Sequence, residues 1–174
     1  MTAARTHAVQ ETTAATGETA GASRMNPSVR IYRRDKNAAL PRYATEGAAG
    51  ADVEAFIQAD IVLKPGGREK IPTGLVLEIP KNWEAQVRPR SGLALNHGIT
   101  VLNAPGTIDS DYRGELEIIL VNVSTEPYTV HSGDRIAQLV FAPAPQLCFE
   151  PAENLAGTRR SGGGFGSTGI KADK

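Results

Sequence analysis

The segment Leu116-Glu117-Ile118-Ile119-Leu120-Val121 predicts the fold of this chain. Successive side chains of a β-strand point to opposite faces, and after Glu117 this run is apolar at both sets of positions. A strand of this kind is buried on both faces. We therefore expect it to be covered either by a facing sheet or by another subunit.

The rest of the chain between Val29 and Pro151 also has the character of short strands. Apolar runs alternate with proline and glycine, a pattern that is typical of an all-β sandwich or barrel. One short helix is predicted from Ser91, whose hydroxyl would cap its first turn. The further strands that the pattern predicts are Val29–Ile31, Gly74–Ile79, Trp83–Val87 and Arg135–Phe141.

Size and charge exclude several classes of protein. The chain has 174 residues, of which 40% are hydrophobic, and this content suffices for one core. Its formal net charge is zero and its basic residues are scattered, so we expect no nucleic-acid partner. No apolar run approaches the roughly 20 residues of a membrane span, so we expect no membrane association. The single cysteine, Cys148, cannot form an internal disulfide and indicates the reducing cytoplasm, and its apolar neighbours predict that it is buried.

Residues 1–28 differ in composition from the rest of the chain. They are rich in alanine and threonine, and they lack both the apolar core of a signal peptide and the arginine-rich pattern of a transit peptide. This composition predicts a disordered N-terminal extension. Met25 is an alternative start of translation, and the sequence leaves that choice and the role of the extension open.

The stretch Asn103–Gly114 combines turn formers, two carboxylates and an aromatic ring. Pro105 and the glycine after it mark a tight turn. If the chain continues from that turn as an extended strand, Asp109 and Asp111 share one face and Tyr112 points to the other. The tripeptide Asp-Ser-Asp alone is typical of a polar loop, but its neighbours favour a site.

Two other segments have the composition of phosphate-binding sites. Arg88-Pro89-Arg90-Ser91-Gly92 places arginines beside the start of the predicted helix, where main-chain amides attract an anion. Residues 159–169 supply two arginines, glycine amides, hydroxyls and one aromatic ring, which suit the wrapping of a polyphosphate. Each signal alone is weak, because ordinary helix starts and flexible glycine-rich termini have the same composition.

The order of these segments resembles that of the trimeric dUTPases, the deoxyuridine triphosphate nucleotidohydrolases. The resemblance covers roughly residues 29 to 169, and five ordered blocks are far more specific than one motif. Val53 departs from the usual leucine, and Ser161 replaces the usual glycine after Arg160, which would stiffen the tail. The blocks are Ala49-Gly50-Ala51-Asp52-Val53, Arg90-Ser91-Gly92, Gly106 to Gly114, Gly133 to Gln138, and the arginine and glycine tail.

The resemblance implies a reaction and the residues that carry it. The reaction is hydrolysis of dUTP to dUMP and pyrophosphate, in which Asp109 is the general base that directs water at the α-phosphorus. Asp111 is a second candidate base by its proximity, and a salt bridge or turn role is its alternative. Asp52 would hold Mg²⁺ through water molecules. Substrate contacts are assigned to Arg90, Ser91, Gly92, Asn103, Thr107, Ile108, Tyr112, Gln138, Arg160, Gly164, Phe165, Gly166, Ser167 and Thr168.

The chemistry of the nucleotide gives these contacts their roles. Uracil presents two carbonyl acceptors and one ring N–H, which Asn103 and the main chain around Thr107 can pair. Tyr112 would lie under the deoxyribose and leave no room for a 2′-hydroxyl. Phe165 would stack on the uracil, and Arg160 would face the γ-phosphate.

The same resemblance implies a jelly-roll-like protomer with one short helix, assembled as a homotrimer with each active site at a subunit junction. It divides the chain into the extension at residues 1–28, a β domain at residues 29–156, and a glycine-rich arm at residues 157–174. The arm would close over the active site as a lid. The reaction would supply the precursor of dTMP and limit the incorporation of uracil into DNA.

Two alternative functions stay open at this point. A deaminase of dCTP shares the sandwich and the trimer, but its relatives have an Arg-Ser-Ser element and a glutamate proton shuttle near the base. A trimer that only binds nucleotide and signals through a partner needs no general base. Asp109 beside a complete tail argues against that second alternative.

Overall fold

The computed structural model describes residues 27–164, which form eleven β-strands and one short helix, α1 (Ser91–His97). The strands are β1 (Arg30–Arg33), β2 (Arg42–Tyr43), β3 (Ala51–Glu54), β4 (Ile61–Leu63), β5 (Arg68–Glu78), β6 (Trp83–Arg88), β7 (Ile99–Val101), β8 (Gly106–Ile108), β9 (Glu115–Asn122), β10 (Tyr128–Val130) and β11 (Arg135–Pro143). All five predicted strands and the predicted helix are present. Over residues 27–164, no helix is long and apolar enough to cross a membrane.

Some of the predicted features lie outside the described residues. They are the N-terminal extension up to residue 26 and the arm contacts assigned to Phe165, Gly166, Ser167 and Thr168.

The strands build a sandwich of two antiparallel sheets. The four-stranded sheet has the order β1-β5-β9-β7 and the five-stranded sheet the order β2-β3-β11-β6-β8, while β4 and β10 form a separate pair. Both sheets contribute apolar side chains to one core, for example Leu75 and Ile118 from the first and Val87 and Leu139 from the second. The predicted all-β, jelly-roll-like sandwich is therefore confirmed.

Strand β9 contains the segment that predicted the fold. Its side chains at Leu116, Ile118 and Leu120 are at most 1% exposed and pack in the core. On the opposite face Ile119 and Val121 are only half-buried. The facing sheet therefore supplies the expected cover on one side, and the other side stays partly open in a single protomer.

A bulge in β5 fixes where β9 begins. The pairing of β5 with β9 shifts register within residues 72–76, and there the Gly74 amide donates to the Glu115 carboxylate at 2.8 Å. Glycine is required at this position, because φ is +69° and a Cβ atom would lie 2.8 Å from that of Ala38. The bulge thereby anchors the end of the loop 109–114, which carries the predicted general base.

Residues 144–164, which follow β11, contain no helix or strand. Cys148 in this segment is exposed, and its neighbours Leu147 and Phe149 are 75% and 97% exposed. The prediction that Cys148 is buried is wrong for the single protomer. Apolar composition does not bury this segment, because it pairs with no strand among the described residues.

Candidate active site

The outer face of the five-stranded sheet carries a row of polar side chains. Asp52 on β3 is opposite Arg42 on one side and Gln138 on the other, and Gln138 is opposite Arg88. Directly opposed residues on neighbouring strands project from the same face. Most of this row lines a cavity of about 430 Å³, which we call the arginine cleft. Its lining includes Gly50, Asp52, Arg88, Arg90, Ser91, Gly92, Arg135 and Gln138.

Asp52 joins two arginines in the arginine cleft. Arg90 donates from Nε to Asp52 Oδ1 at 3.1 Å, and Arg135 donates from Nη1 to Asp52 Oδ2 at 3.0 Å. The Asp52 side chain is 14% exposed and that of Arg90 is 25% exposed. Solvent screens such a cluster less than a fully exposed ion pair, so Asp52 can hold both guanidinium groups in place.

Gln138 lies beside Asp52. Its side-chain amide is fixed by one hydrogen bond and packs closely against Gly50. Nε2 donates to the main-chain oxygen of Pro89 at 3.1 Å, which leaves its second hydrogen for a ligand. The side-chain Cδ lies 2.9 Å from the position that a Cβ atom would take at Gly50. Any side chain at position 50 would displace the amide of Gln138, which explains a glycine in the Ala49–Val53 block.

Helix α1 begins immediately after Arg90. Arg90 is the N-cap residue, with φ of −94° and ψ of 127°, and no side chain caps the helix. The prediction that the Ser91 hydroxyl caps this helix is wrong, because Ser91 is already the first helical residue and lies one position too far along the chain. Ser91 and Gly92 are instead exposed at the edge of the arginine cleft.

The loop after β8 carries the predicted general base and forms a second surface. Strand β8 ends at Ile108, and the Tyr112 amide then donates to the main-chain oxygen of Asp109 at 3.2 Å, which closes a turn. The expectation of an extended strand with alternating faces is therefore wrong here. Asp109 and Asp111 are both exposed and line a cavity of about 1020 Å³, which we call the carboxylate cleft.

The predicted uracil-reading residues lie on β8 and just before it. Strand β8 pairs with β6 on one side only and is the last strand of its sheet. Its free edge at Thr107 and Ile108 therefore offers main-chain N–H and C=O groups that a ligand can pair. Asn103 is exposed, and its Nδ2 lies 3.0 Å from the position that a Cβ atom would take at Gly106.

Tyr112 folds back over the end of the loop. Its ring occupies the space of a missing Cβ at Gly114, and its hydroxyl donates to the main-chain oxygen of Glu115 at 3.1 Å. The ring remains 44% exposed. Gly114 thus gives Tyr112 a fixed position in which part of the ring can still contact a ligand.

The described part of the arm ends in a tight turn. The Gly163 amide donates to the main-chain oxygen of Arg160 at 2.9 Å, and Arg160 Nε donates to the Gly163 oxygen at 2.9 Å. Between them Ser161 has φ of +44°, in the left-handed region that glycine favours. Serine at this position therefore adopts a backbone conformation in which it is more strained than a glycine would be.

The structure divides the predicted site residues between two surfaces. Asp52, Arg90 and Gln138 line the arginine cleft together with Ser91 and Gly92, whereas Asp109 lines the carboxylate cleft. No described residue lines both cavities. The Asp109 carboxylate and the arginine cleft therefore lie on separate surfaces of one protomer.

Arg135 is a site residue that the sequence interpretation did not single out. It lies in the Gly133–Gln138 block, and its place in that block could have identified it as a site residue. Its place in the cleft depends on an irregular pairing of β11 with β3 between Arg135 and Ala137. Local sequence patterns do not reveal such an irregularity.

The donors in the arginine cleft do not form a metal cage. Among the described residues, no group of three or more His, Cys, Asp or Glu side chains is placed to hold a metal ion. Asp52 is the one acidic residue among those that line the cleft, and both of its oxygens accept hydrogen bonds from arginines. This donor set fits a magnesium ion that arrives with a polyphosphate and keeps its waters.

The sandwich and its clefts define a β-protein with an arginine-lined cleft and, on a separate surface, exposed carboxylates. The sequence model of the dUTPase family matches residues 36–169 of this chain. A deoxyuridine 5′-triphosphate nucleotidohydrolase of Cytophaga hutchinsonii is 54% identical over 145 residues, which cover 83% of this chain and 94% of that protein. One of Treponema denticola is 58% identical over 135 residues, which cover 78% of this chain and 94% of that protein.

Solved structures share the fold at lower identity. A mutant of the Staphylococcus bacteriophage 80alpha dUTPase with dUpNHpp has a TM-score of 0.77 and 23% identity, and the match covers 83% of this chain and 100% of that chain. A mutant dUTPase from phage phi11 of S. aureus, described with a structural Mg(II) ion, has a TM-score of 0.68 and 21% identity, with 75% and 100% covered. The chain belongs to the dUTPase family, and it is an enzyme of the hydrolase class.

Proposed function

We propose that this protein hydrolyses dUTP to dUMP and pyrophosphate. The observation that carries the proposal is a cleft with three arginines and a separate surface with exposed carboxylates, in a chain more than 50% identical to proteins named for this reaction. The planar fork of arginine matches the oxygens of a phosphate. A carboxylate can activate the water that attacks the phosphorus atom of that phosphate.

Asp109 is the proposed general base. It is exposed, and no ion pair with another described side chain engages its carboxylate. An aspartate is ionised at neutral pH and can accept a proton from water. That water attacks the α-phosphorus, the bond from the α-phosphorus to the bridging oxygen breaks, and pyrophosphate leaves. Asp111 lies in the same turn and is the second candidate.

The arginine cleft is the proposed site of the phosphates. Arg90 supplies charge, and Ser91 and Gly92 lie where the first turn of α1 leaves main-chain amides without helical partners. The remaining amide hydrogen of Gln138 donates to a phosphate oxygen. Magnesium is part of the substrate in this proposal, chelated by the triphosphate, and Asp52 accepts hydrogen bonds from its waters.

The edge of β8 and the loop after it are the proposed site of the nucleoside. Asn103 and the main chain of Thr107 and Ile108 pair the uracil, whose pattern of acceptors and N–H differs from that of cytosine. A narrow pocket beside this edge would also exclude the methyl group of thymine. Tyr112 lies under the deoxyribose and excludes a 2′-hydroxyl.

The division into two clefts supports a site that is shared between copies of the chain. In the proposed homotrimer, the carboxylate cleft of one protomer faces the arginine cleft of its neighbour, which brings Asp109 to the phosphates. The segment after β11 supports the same assembly. Its side chains Leu147, Phe149 and Leu155 are 75%, 97% and 88% exposed, and another copy would cover them.

The arm at residues 157–174 is the proposed lid on the β domain at residues 29–156. Arg160 faces the γ-phosphate, Phe165 stacks on the uracil, and Gly164, Gly166, Ser167 and Thr168 donate amides and hydroxyls. Closure would exclude all water except the attacking molecule.

The product dUMP is the precursor of dTMP, so the proposed reaction serves thymidylate synthesis. Removal of dUTP also limits the incorporation of uracil into DNA. The cytoplasmic location stays a prediction from the composition of the chain.

A panel of nucleotides tests the proposed function. Purified full-length protein is incubated with magnesium and with dUTP, dCTP, dTTP or UTP, and pyrophosphate and ammonia are measured. We expect pyrophosphate from dUTP at a rate at least about a hundredfold above that from the others, because cytosine leaves the uracil-pairing groups unpaired, the narrow pocket excludes the thymine methyl group, and Tyr112 excludes the 2′-hydroxyl of UTP. Equal release from all four nucleotides would refute the assignment of the uracil and deoxyribose contacts, and ammonia from dCTP would support a deaminase.

A further inference from the structure

We infer that Arg135 is a positioning residue for phosphate binding, which fixes the guanidinium of Arg90 through Asp52. This inference rests on the proposed function, since it takes the arginine cleft as the place where the phosphates bind. It assigns Arg135 a role that acts through its neighbours rather than through a contact with the reacting atoms.

Arg135 holds Arg90 by two routes. Its side chain donates from Nη1 to Asp52 Oδ2 at 3.0 Å, and the other carboxylate oxygen of Asp52 accepts from Arg90 Nε at 3.1 Å. Its main-chain oxygen accepts from Arg90 Nη1 at 3.1 Å. Two of the three guanidinium nitrogens of Arg90 are thus engaged, and Nη2 remains to donate to a phosphate.

The arrangement is useful because an arginine side chain is long and flexible. A free guanidinium loses rotamer freedom when it binds a ligand, and this loss weakens binding. A guanidinium that is already fixed avoids that loss. Asp52 also offsets the repulsion between Arg90 and Arg135, which would otherwise push the two side chains apart.

Arg135 has little to do with the stability of the fold. Its side chain is 44% exposed, whereas Asp52 between the two arginines is 14% exposed. Ion pairs at such exposed positions contribute little to folding. Removal of the Arg135 side chain is therefore expected to change the cleft and leave the sandwich intact.

The first test compares Arg135→Gln with Arg135→Lys in the full-length protein. We expect Arg135→Gln to raise the KM for dUTP about tenfold with kcat within about threefold of wild type, because a binding interaction is weakened in both ground and transition states. Arg135→Lys should stay within about threefold in KM, since a single donor suffices to reach Asp52. Arg68→Gln, an exposed arginine at the start of β5 outside the cleft, is the matched control and should match wild type.

The second test asks whether Arg135 acts through Arg90. In an Arg90→Gln background the change Arg135→Gln should raise the Kd for dUTP, measured by calorimetry, by less than about twofold, because the residue that it positions is gone. Fully additive effects would instead mean that Arg135 contacts the phosphates itself, and they would overturn the inference. A KM for Arg135→Gln equal to that of wild type would overturn it as well.

A direct readout is the Arg90 Nε–H signal in ¹⁵N NMR spectra of the nucleotide-free protein. We expect hydrogen exchange at this group to be slower in wild type than in Arg135→Gln and in Asp52→Asn. Both variants weaken the hydrogen bond from Arg90 Nε to the side chain at position 52. Exchange in Arg135→Gln equal to that in wild type would overturn the inference, and Asp52→Asn shows the exchange expected when the bond to Asp52 is weakened. The spectra need no turnover, so a wild-type protein that fails to cleave dUTP would refute the proposed function and leave this test decisive. If Arg135→Gln does not assemble, Arg135→Ala supplies the comparison.

Discussion

The Asp109→Asn protein is expected to bind dUTP and to hydrolyse it at least about a hundredfold more slowly than wild type, which is the usual scale of general-base catalysis. Asparagine keeps the size and polarity of the side chain but cannot accept a proton from water. The rate is measured as pyrophosphate release at saturating dUTP with magnesium, and binding is measured separately by calorimetry. Full-speed cleavage by a correctly assembled variant would refute the mechanism.

The matched control for this prediction is Asp111→Asn. The two carboxylates lie in one turn and line the same cavity, so the pair of variants separates their roles. We expect Asp111→Asn to keep its rate within about fivefold of wild type, because an exposed carboxylate outside the reaction contributes little. The reverse outcome, a loss with Asp111→Asn and none with Asp109→Asn, would transfer the role of the base to Asp111.

A protein that ends at Gly157 is expected to lose about a hundredfold in kcat/KM, which corresponds to about 2.7 kcal/mol of transition-state stabilisation. The truncation removes Arg160, with its charge for the γ-phosphate, together with the glycines and hydroxyls that would close over the nucleotide. Loss of closure admits water and weakens the electrostatic interactions in the site. Turnover by this variant is measured beside its affinity for dUTP.

The control for the truncation is a protein that ends at Gly169, where the match to the dUTPase family ends. It lacks only residues 170–174 and should retain wild-type kinetics. Unchanged turnover in the protein that ends at Gly157 would refute the proposal that the arm acts as a lid. A loss in both proteins to the same degree would place the effect in the last five residues instead.

The fold could be predicted because its signals are local. The run Leu116–Val121 and the alternation of short apolar runs with proline and glycine follow directly from the geometry of strands, and every predicted strand is present. The start of α1 was placed correctly at Ser91, but the cap was not. A hydroxyl at the start of a helix caps it only at the residue before the first turn, and the sequence does not fix that register.

The site was less predictable, because its geometry depends on long-range pairing. The turn at Asp109 replaces the extended strand that alternation assumes, since β8 ends one residue earlier. Arg135 reaches Asp52, a residue 83 positions earlier in the sequence, across an irregular pairing of β11 with β3. Cys148 is exposed because its segment does not pack in the core of the protomer. Composition does not distinguish an apolar run that is buried within one chain from an apolar run that another copy would cover.

The central claim is that each nucleotide is held between the arginine cleft of one protomer and the carboxylate cleft of another, and subunit mixing tests it most directly. Asp109→Asn and Arg90→Gln, each nearly inactive alone, are co-expressed with different tags, and the doubly tagged assembly is purified. If sites are shared, some sites in the mixed assembly are intact. In these sites the Arg90→Gln protomer contributes Asp109 and the Asp109→Asn protomer contributes Arg90. Every mixed trimer then has one intact site of three, so the purified assembly should have about one third of wild-type activity. Activity no higher than that of either parent protein would contradict the account, because it would place both residues of each site on one protomer.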